Sequence, residues 1–221
     1  MGSGSPLVTI DGPAGAGKSE AARALARRLL VRYVDSGSIY RAITLEALDR
    51  GFDLDDTQAL QELAAELKIE VETDPAKPPL VKVNGTPVTT RLRSPRVDET
   101  VSLVAKVPGV RQAVTRLLWD LSQGAVVEGR DMGSVVFPGV RKKVFLDANF
   151  ETRVERRSRQ AGDWGSDSTE HIEEDLRTRD EIDQLRESAP LRIPQGALVI
   201  DSTRLSVGEV VDRIVLYLNS K

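Results

Sequence analysis

Gly12-Pro-Ala-Gly15-Ala-Gly17-Lys18-Ser19 is the stretch of sequence that decides the fold. Four residues separate Gly12 from Gly17, which is the spacing of a phosphate-binding loop (P-loop). The apolar run Leu7-Val-Thr-Ile10 precedes it, and apolar residues at helical spacing follow it, at Ala22, Leu25, Ala26 and Leu29. A strand, a glycine-rich turn and a helix are the context that such a loop requires. We therefore predict that residues 12–19 bind the phosphates of a nucleotide.

The residue types in this loop suit phosphate chemistry. Its glycines let backbone N–H groups turn towards a phosphate, Lys18 can reach the β and γ phosphates, and the Ser19 hydroxyl can ligate magnesium. The N-terminus of the following helix adds positive potential. An ordinary glycine-rich turn with an exposed lysine is the alternative, and the flanking strand and helix argue against it. The predicted nucleotide-binding residues are Gly12, Pro13, Ala14, Gly15, Ala16, Gly17, Lys18, Ser19 and Glu20.

More apolar runs along the chain have the length of buried strands. A polar turn follows each of them, and they cover residues 31–34, 125–127, 144–146 and 198–200. Helical patterns follow the first, third and fourth of these runs, the last with a capping box formed by Ser206 and Glu209. This alternation predicts an α/β fold with a five-stranded parallel sheet flanked by helices.

Residues 57–122 interrupt the alternation. A helical stripe is followed by alternating Ile69 and Val71, by a second apolar run, and by Asn84-Gly85, a hairpin turn signal. Two more helical patterns complete the segment. It is predicted to form a small inserted subdomain with antiparallel strands, and such insertions commonly carry specificity elements. Trp119, in the last of these helices, is expected to pack in the core.

The composition excludes several functional classes. With 40% hydrophobic and 29% charged residues, the 221-residue chain is expected to be globular. It has no cysteine and a single histidine, His171, so disulfides, thiolate zinc sites, cysteine nucleophiles and histidine-rich metal sites are excluded. The formal net charge of −3 argues against a nucleic-acid partner. No apolar run of about 18 residues and no secretory leader is found, so we expect no membrane partner and a cytoplasmic location.

Two loops at the carboxyl edge of the predicted sheet carry further chemistry. Asp35-Ser-Gly-Ser-Ile-Tyr40-Arg41 follows the second strand, and Glu128-Gly-Arg130-Asp131-Met-Gly133 follows the third. Open α/β sheets bind ligands at this edge, and the planar fork of an arginine suits a phosphate. Solvated ion pairs in two turns are the alternative interpretation.

Asp147 and Asp201 also follow apolar strands. In this position they resemble the aspartate that holds magnesium in ATPases. Capping of the following helix or turn is the favoured interpretation for both residues. The guanine-recognition signature Asn-Lys-x-Asp does not occur in the chain.

Together, the P-loop and the two loops resemble those of bacterial cytidylate kinases, which are P-loop nucleoside monophosphate kinases. The similarity continues through Val136-Phe-Pro138, residues 179–191 and Leu198-Val-Ile-Asp-Ser-Thr203, and so covers nearly the whole chain. Ala14, where many relatives have serine, and Glu20 depart from the family pattern, but neither removes a phosphate-binding N–H. Residues 160–168 match the family poorly.

The resemblance implies one kinase domain over residues 6–221, behind a flexible leader at residues 1–5. Its expected parts are a core at 6–56 and 123–221, a nucleoside-monophosphate-binding insert at about 57–122 and a helical lid at about 150–180. The implied reaction moves the γ-phosphoryl group of ATP to CMP or dCMP, with magnesium as cofactor and Ser19 as its ligand. ATP and CMP or dCMP are the expected partners, and a monomer is expected.

The resemblance also implies residue roles. The acceptor nucleotide would be bound by Ser36, Tyr40, Arg41, Ser102, Arg111, Arg130, Asp131, Asp183 and Arg186. Among these, the cytosine would face Ser102, Arg111 and Asp131, and the ribose hydroxyls would face Asp183. The catalytic residues would be Lys18, Arg130, Arg179 and Arg186. From the lid, Arg157 would contact ATP, with Arg153 or Arg156 as further candidates, and a solvated helix face is the alternative for all three.

Cytosine suits this pocket because its N4 amino group donates to a carboxylate and its N3 and O2 atoms accept from an arginine. Asp131 is therefore predicted to be a specificity residue and not a general base, because phosphoryl transfer rests mainly on positioning and charge neutralisation. Two rival functions are a P-loop kinase for another small acceptor, such as UMP, AMP or shikimate, and a nucleotide-binding ATPase switch. Acceptor competition distinguishes the first, and ADP release without any acceptor distinguishes the second.

Overall fold

The computed structural model describes residues 7–161 and 168–220. Its strands are β1 (Val8–Asp11), β2 (Arg32–Asp35), β3 (Ile69–Val71), β4 (Val81–Val83), β5 (Thr86–Pro87), β6 (Ala125–Gly129), β7 (Lys142–Asp147) and β8 (Leu198–Asp201). Its α-helices are α1 (Lys18–Leu29), α2 (Ser36–Asp49), α3 (Thr57–Glu66), α4 (Pro95–Ala105), α5 (Pro108–Leu121), α6 (Phe150–Ala161), α7 (Thr169–Leu185) and α8 (Val207–Asn219). The predicted leader at residues 1–5 lies outside the described residues.

A five-stranded parallel sheet with the order β2-β6-β1-β7-β8 forms the centre of the molecule. Because β1 is the middle strand, the P-loop that follows it begins at the centre of the carboxyl edge. The five apolar runs predicted outside the insert each correspond to a strand of this sheet, so the predicted α/β fold is confirmed. β1 and β6 are buried along their whole length, as expected for parallel strands that are covered on both faces.

Neighbouring residues of a strand point to opposite faces of the sheet, so each face presents apolar side chains. Helices cover both faces and bury these side chains. On β6, Val126 packs in a cluster with α1 and α8, whereas Val127 packs with α2, α3 and α5. Leu25 of α1 and Ile214 of α8 are fully buried in the first cluster. Burying a side chain of this size contributes about 1.5–3 kcal/mol. The helical spacing of the apolar residues thus determines which side of each helix meets the sheet.

The last helix begins at its predicted capping box. The Ser206 hydroxyl accepts from the Glu209 backbone N–H at 3.3 Å, and the Glu209 carboxylate accepts from the Ser206 N–H at 2.8 Å.

The expected core position of Trp119 is wrong, since Trp119 is 55% exposed. Leu118 takes the buried position of α5, and the next residue on a helix is turned by about 100°. The Trp119 indole N–H instead donates to the Val136 carbonyl at 3.1 Å.

A second, antiparallel sheet with the order β3-β4-β5 lies within the predicted insert. Asn84 and Gly85 form its hairpin turn with φ values of 50° and 82°, the left-handed conformation that such a turn requires. α3 and α5 pack into the same apolar cluster as α2 and β6, so these helices share the main core. The insert boundaries at about 57–122 stay a prediction.

α6 and α7 occupy the region of the predicted lid. Val154 of α6 and Ile172 and Leu176 of α7 pack against Ala14 of the P-loop. The two helices are therefore in direct contact with the loop predicted to bind the nucleotide. The lid boundaries at about 150–180 stay a prediction, and residues 162–167 of the poorly matching stretch lie outside the described residues. No helix in the described part of the chain is long and apolar enough to cross a membrane.

Candidate active site

The P-loop depends on glycine where it leaves the sheet. Gly12 has a φ of 153°, and a Cβ atom there would lie 1.9 Å from the carbonyl oxygen of Leu146 on β7. Any larger residue would therefore push the loop away from the sheet. Gly17, with a φ of 86°, caps the N-terminus of α1. The free N–H groups of α1 consequently face the space above the loop, where they favour an anion.

Lys18 folds back over the P-loop. Its ammonium group donates to the Pro13 carbonyl at 2.7 Å, and the residue is only 5% exposed. Burial, followed by the positive charge of Arg130, lowers the pKa of Lys18 to about 7, although nearby carboxylates oppose the shift. A phosphate beside Lys18 would supply the negative charge that keeps it protonated.

Several side-chain oxygen atoms lie close to Ser19. Its hydroxyl donates to the Glu128 carboxylate at 2.5 Å, and the Tyr33 hydroxyl donates to the same oxygen at 3.2 Å. Asp35 lies opposite Glu128 where β2 pairs with β6. Burial and the negative charge of Asp35 raise the pKa of Glu128. A cation would relieve this repulsion, and a hydroxyl with neighbouring carboxylates fits the preference of magnesium for oxygen ligands.

Asp147 and Asp201 are separate from this group. Asp147 accepts from the Ala148 N–H at 2.8 Å, and Asp201 accepts from the Thr203 N–H at 2.9 Å. Each carboxylate stabilises its own turn, and neither is among the described residues that line the cavity above the P-loop. Asp201 thus caps the turn that follows its strand, as expected, whereas at the start of α6 the Thr152 N–H donates to Asn149 at 2.9 Å, so Asn149 and not Asp147 caps that helix.

Asp11, the last residue of β1, holds the loop that carries Arg130 and Asp131. Its two carboxylate oxygens accept from the backbone N–H groups of Met132 and Gly133, both at 2.7 Å. Burial raises the pKa of Asp11 to about 6, and the two N–H groups oppose this rise. These bonds tie the loop to the strand that carries the P-loop. They therefore fix Arg130 and Asp131 relative to the phosphate-binding residues.

Asp131 and Arg111 form a buried ion pair. Arg111 of α5 donates to Asp131, and the two residues are 6% and 1% exposed. The other Asp131 oxygen lies 3.6 Å from a guanidinium nitrogen of Arg186. The guanidinium carbon of Arg111 lies 5.7 Å from the centre of the Tyr40 ring, and Ser102 of α4 lines the same cavity. The predicted base-binding residues thus surround one carboxylate that still has an oxygen available to a ligand.

A second carboxylate, Asp183 of α7, lies between two arginines. Arg130 donates to it at 2.8 Å, and Arg186 lies 3.5 Å from its other oxygen. Burial opposes the ionisation of Asp183, but Arg130 and Arg186 hold its pKa below the usual range. Asp183 is therefore an ionised acceptor. The structure places Arg186 beside both Asp131 and Asp183.

Arg41, Arg157 and Arg179 converge on one carboxylate, Asp98 of α4. Arg41 donates from Nε at 2.9 Å, Arg157 donates to the second oxygen, and Arg179 lies 3.8 Å from the first. Asp98 is only 2% exposed. Burial opposes its ionisation, but Arg41, Arg179 and Arg157 together hold the pKa of Asp98 well below its usual range. The structure thus brings together three arginines with different predicted roles: Arg41 in binding the acceptor nucleotide, Arg157 in contacting ATP and Arg179 in catalysis.

One cavity of about 680 Å³ joins most of the predicted site residues. The predicted site residues that line it are Ala14, Gly15, Ala16, Gly17, Lys18, Ser19, Glu20, Ser36, Tyr40, Arg41, Ser102, Arg111, Arg130, Asp131, Arg157, Arg179, Asp183 and Arg186. Gly12 and Pro13 are buried beneath the loop and do not line the cavity. Their part is to shape the loop and to accept the hydrogen bond from Lys18.

The other two lid arginines differ from Arg157. Arg156 lines the cavity and donates to the Ser202 carbonyl at 2.7 Å. Arg153 donates to Asp180 at 2.6 Å and to the Ala14 carbonyl at 3.1 Å, and it does not line the cavity in the described part of the chain. Arg153 therefore joins the lid to the P-loop.

Several buried polar atoms around the cavity have no hydrogen-bond partner within residues 7–161 and 168–220. They are the Tyr40 hydroxyl, Nε of Arg179 and a terminal nitrogen of Arg186. Leaving a buried donor unpaired costs about 1–3 kcal/mol. A ligand rich in acceptor oxygens, such as a nucleotide, would satisfy these donors.

Sequence reasoning missed Asp11, Glu128 and Asp98 as site residues. Asp11 and Glu128 lie at the carboxyl ends of β1 and β6, and this position is a signal that could have identified them. Asp98 lies one helical turn before Ser102 on α4. Its charge is no more conspicuous than that of any exposed helix residue, so the sequence holds no signal for it.

A sequence model of the cytidylate kinase family matches residues 8–220. The chain is 40% identical over 226 residues to a cytidylate kinase of Vibrio vulnificus, covering 100% of this chain and 99% of that protein. It is 45% identical over 215 residues to a bifunctional pantoate ligase/cytidylate kinase of Synechococcus sp., covering 95% of this chain but only 40% of that longer protein. An uncharacterized protein of Eubacterium ventriosum, known from a crystal structure, shares the fold at a TM-score of 0.53 and 11% identity, with 98% of this chain and 99% of that chain covered. By its sequence over nearly its full length, this chain belongs to the cytidylate kinase family.

Proposed function

We propose that this protein is an ATP-dependent kinase that transfers the γ-phosphoryl group to CMP or dCMP. The observation that carries the proposal is the cavity in which Lys18 of the P-loop and the buried Asp131–Arg111 pair lie together. Lys18 suits the phosphates of a donor nucleotide, and the buried pair suits cytosine. The family of the chain supports the same acceptor. We also propose that the enzyme acts as a monomer in the cytoplasm.

Cytosine would be recognised by Asp131 and Arg111. An ionised carboxylate accepts hydrogen bonds and donates none, so Asp131 suits the N4 amino group of cytosine and not the O4 carbonyl of uracil. Arg111 only donates, so it suits the O2 and N3 acceptors of cytosine. A site built from buried polar groups can discriminate by about 10⁴-fold against a substrate that leaves them unpaired.

The phosphates would be held by the P-loop N–H groups, by Lys18 and by the arginines of the cavity. Arg41, Arg130 and Arg186 would bind the acceptor phosphate or lie beside it. Arg157 and Arg179 would face the transferring group. Negative charge spreads over the equatorial oxygens in the transition state of phosphoryl transfer, so correctly placed cations lower the barrier. Asp183 would accept from the ribose hydroxyls.

Magnesium is the proposed cofactor. Ser19 and Glu128 would hold it, with Asp35 nearby, since their oxygens lie together at the edge of the P-loop. When bound there, magnesium neutralises negative charge on the nucleotide phosphates. No general base is required, because positioning and charge neutralisation supply most of the catalysis.

The proposal is tested by measuring ADP production with magnesium and ATP. The acceptors are CMP, dCMP, UMP, AMP, GMP and shikimate, each in a separate reaction, with a further reaction that contains no acceptor. We expect turnover chiefly with CMP and dCMP. Turnover chiefly with another acceptor would replace the proposed substrate, and equal ADP release without an acceptor would indicate an ATPase switch.

The lowered pKa of Lys18 predicts that ATP binding takes up a proton above neutral pH. In the free enzyme, burial and Arg130 hold this pKa at about 7, so Lys18 is mostly neutral near pH 8.5 and charged below pH 6. Bound phosphate favours the charged form, so binding near pH 8.5 should take up about one proton. Titration calorimetry in buffers of different ionisation enthalpy measures this number. No buffer dependence near pH 8.5 would contradict the assignment, and Lys18→Ala should remove the uptake.

A further inference from the structure

Asp98 is the anionic centre of an arginine cluster, which we define as Arg41, Arg157 and Arg179. These arginines belong to α2, α6 and α7, and Asp98 belongs to α4. Without the carboxylate, three guanidinium groups in a partly buried surrounding would repel one another. A single side chain from the predicted insert therefore holds together arginines from the core and from the predicted lid.

Asp98 lies behind the arginine cluster and not in the cavity. Within the described residues, each of the three arginines lines the cavity and Asp98 does not. Arg41 directs Nε and one terminal nitrogen at the same Asp98 oxygen, both at 2.9 Å. Its other terminal nitrogen lies beside Gly37, near the N-terminus of α2. One edge of the Arg41 guanidinium is thus fixed by Asp98, and the remaining nitrogen stays available to a ligand.

We propose that Asp98 is a positioning residue that orients Arg41, Arg157 and Arg179 before the nucleotides bind. The proposal rests on the proposed phosphoryl transfer and adds a residue that touches neither nucleotide. The negative charge of Asp98 weakens the attraction of the arginine cluster for phosphate. Its contribution to catalysis therefore comes from orienting the three guanidinium groups and not from its charge. Misplacing a positioning group by about 1 Å can cost about 10²-fold in rate.

Asp98→Asn keeps the shape of the side chain and removes its charge. We expect kcat with CMP to fall by about 10-fold to 100-fold. The KM for CMP and the Kd for inorganic phosphate should be unchanged or lower, because the arginines lose a competing anion. Inorganic phosphate should also raise the melting temperature of this variant more than that of the wild type, because phosphate then supplies the missing negative charge.

Glu99→Gln is the matched control. Glu99 is the next residue on α4, is half-exposed, and contacts His171 of α7 at 3.2 Å. It forms no ion pair with the arginine cluster in the described part of the chain. This variant should therefore keep the kcat, the KM and the phosphate stabilisation of the wild type.

An unchanged kcat in Asp98→Asn would overturn the proposal. A lower kcat with a higher KM and no extra stabilisation by phosphate would overturn it as well, because that pattern indicates general damage to the fold. If the variant folds only with phosphate present, the proposal is supported, and if it folds under neither condition, the proposal fails. The stabilisation by phosphate is measured without turnover, so it tests this inference even if the proposed function is wrong. Wild-type protein that does not use CMP would refute the proposed function alone.

Discussion

Lys18→Ala is expected to lower kcat with CMP by roughly 10³-fold. The lysine lies at the P-loop end of the cavity, where its charge would oppose the negative charge that develops on the transferring phosphoryl group. The same substitution should leave the melting temperature unchanged or raise it. The reason is that the lowered pKa of Lys18 shows that its buried surroundings disfavour the charge. Steady-state kinetics and thermal unfolding of the same sample measure both effects.

Lys143→Ala is the matched control for this prediction. Lys143 of β7 donates to the Pro138 carbonyl at 2.8 Å, just as Lys18 donates to the carbonyl of the proline five residues before it. It is 9% exposed and does not line the cavity in the described part of the chain. Its loss should lower the melting temperature and leave kcat unchanged. A kcat within tenfold of wild type in Lys18→Ala would remove Lys18 from the catalytic group.

The sheet could be predicted because each of its strands has a recognisable local sequence pattern. A parallel strand covered on both faces is apolar along most of its length, as at residues 125–127 of β6, and this pattern can be recognised without knowledge of the rest of the fold. Trp119 shows the limit of such reasoning. Leu117, Leu118 and Trp119 are consecutive apolar residues, and only the packing of α5 decides which of them faces the core. It buries Leu118 and leaves Trp119 at the surface.

The site residues could be predicted where a chemically suitable side chain lies in the loop directly after a predicted strand. Lys18, Arg130 and Asp131 lie in loops at the carboxyl edge of the sheet, so sequence and topology point to the same place. Asp98 and Asp11 act through partners that are distant along the chain. Asp98 meets Arg157 across 59 positions, and Asp11 meets Met132 across 121. The strand-end position of Asp11 marks it as a candidate site residue, but its partners, like those of Asp98, follow from the folded arrangement of helices and strands and not from any local pattern.

Asp131→Asn is expected to lower the preference for CMP over UMP by at least about 100-fold in kcat/KM. An amide can turn its NH₂ group towards the O4 carbonyl of uracil, which the carboxylate repels, and it is a weaker acceptor for the N4 amino group of cytosine. The KM for ATP should stay at the wild-type value, because Asp131 lies with the predicted base-binding residues. The measurement is kcat/KM for CMP and for UMP, with the KM for ATP determined on the same preparation.

The ratio of kcat/KM for CMP to kcat/KM for UMP separates an effect on specificity from an effect on stability. Asp131→Asn also weakens the buried pair with Arg111, so some loss of stability is expected. An unfolded fraction lowers the rates with CMP and UMP by the same factor and leaves their ratio unchanged. Asp147→Asn, at a strand end outside the cavity, should retain the wild-type ratio. If folded Asp131→Asn also retains the wild-type ratio, Asp131 does not read the base.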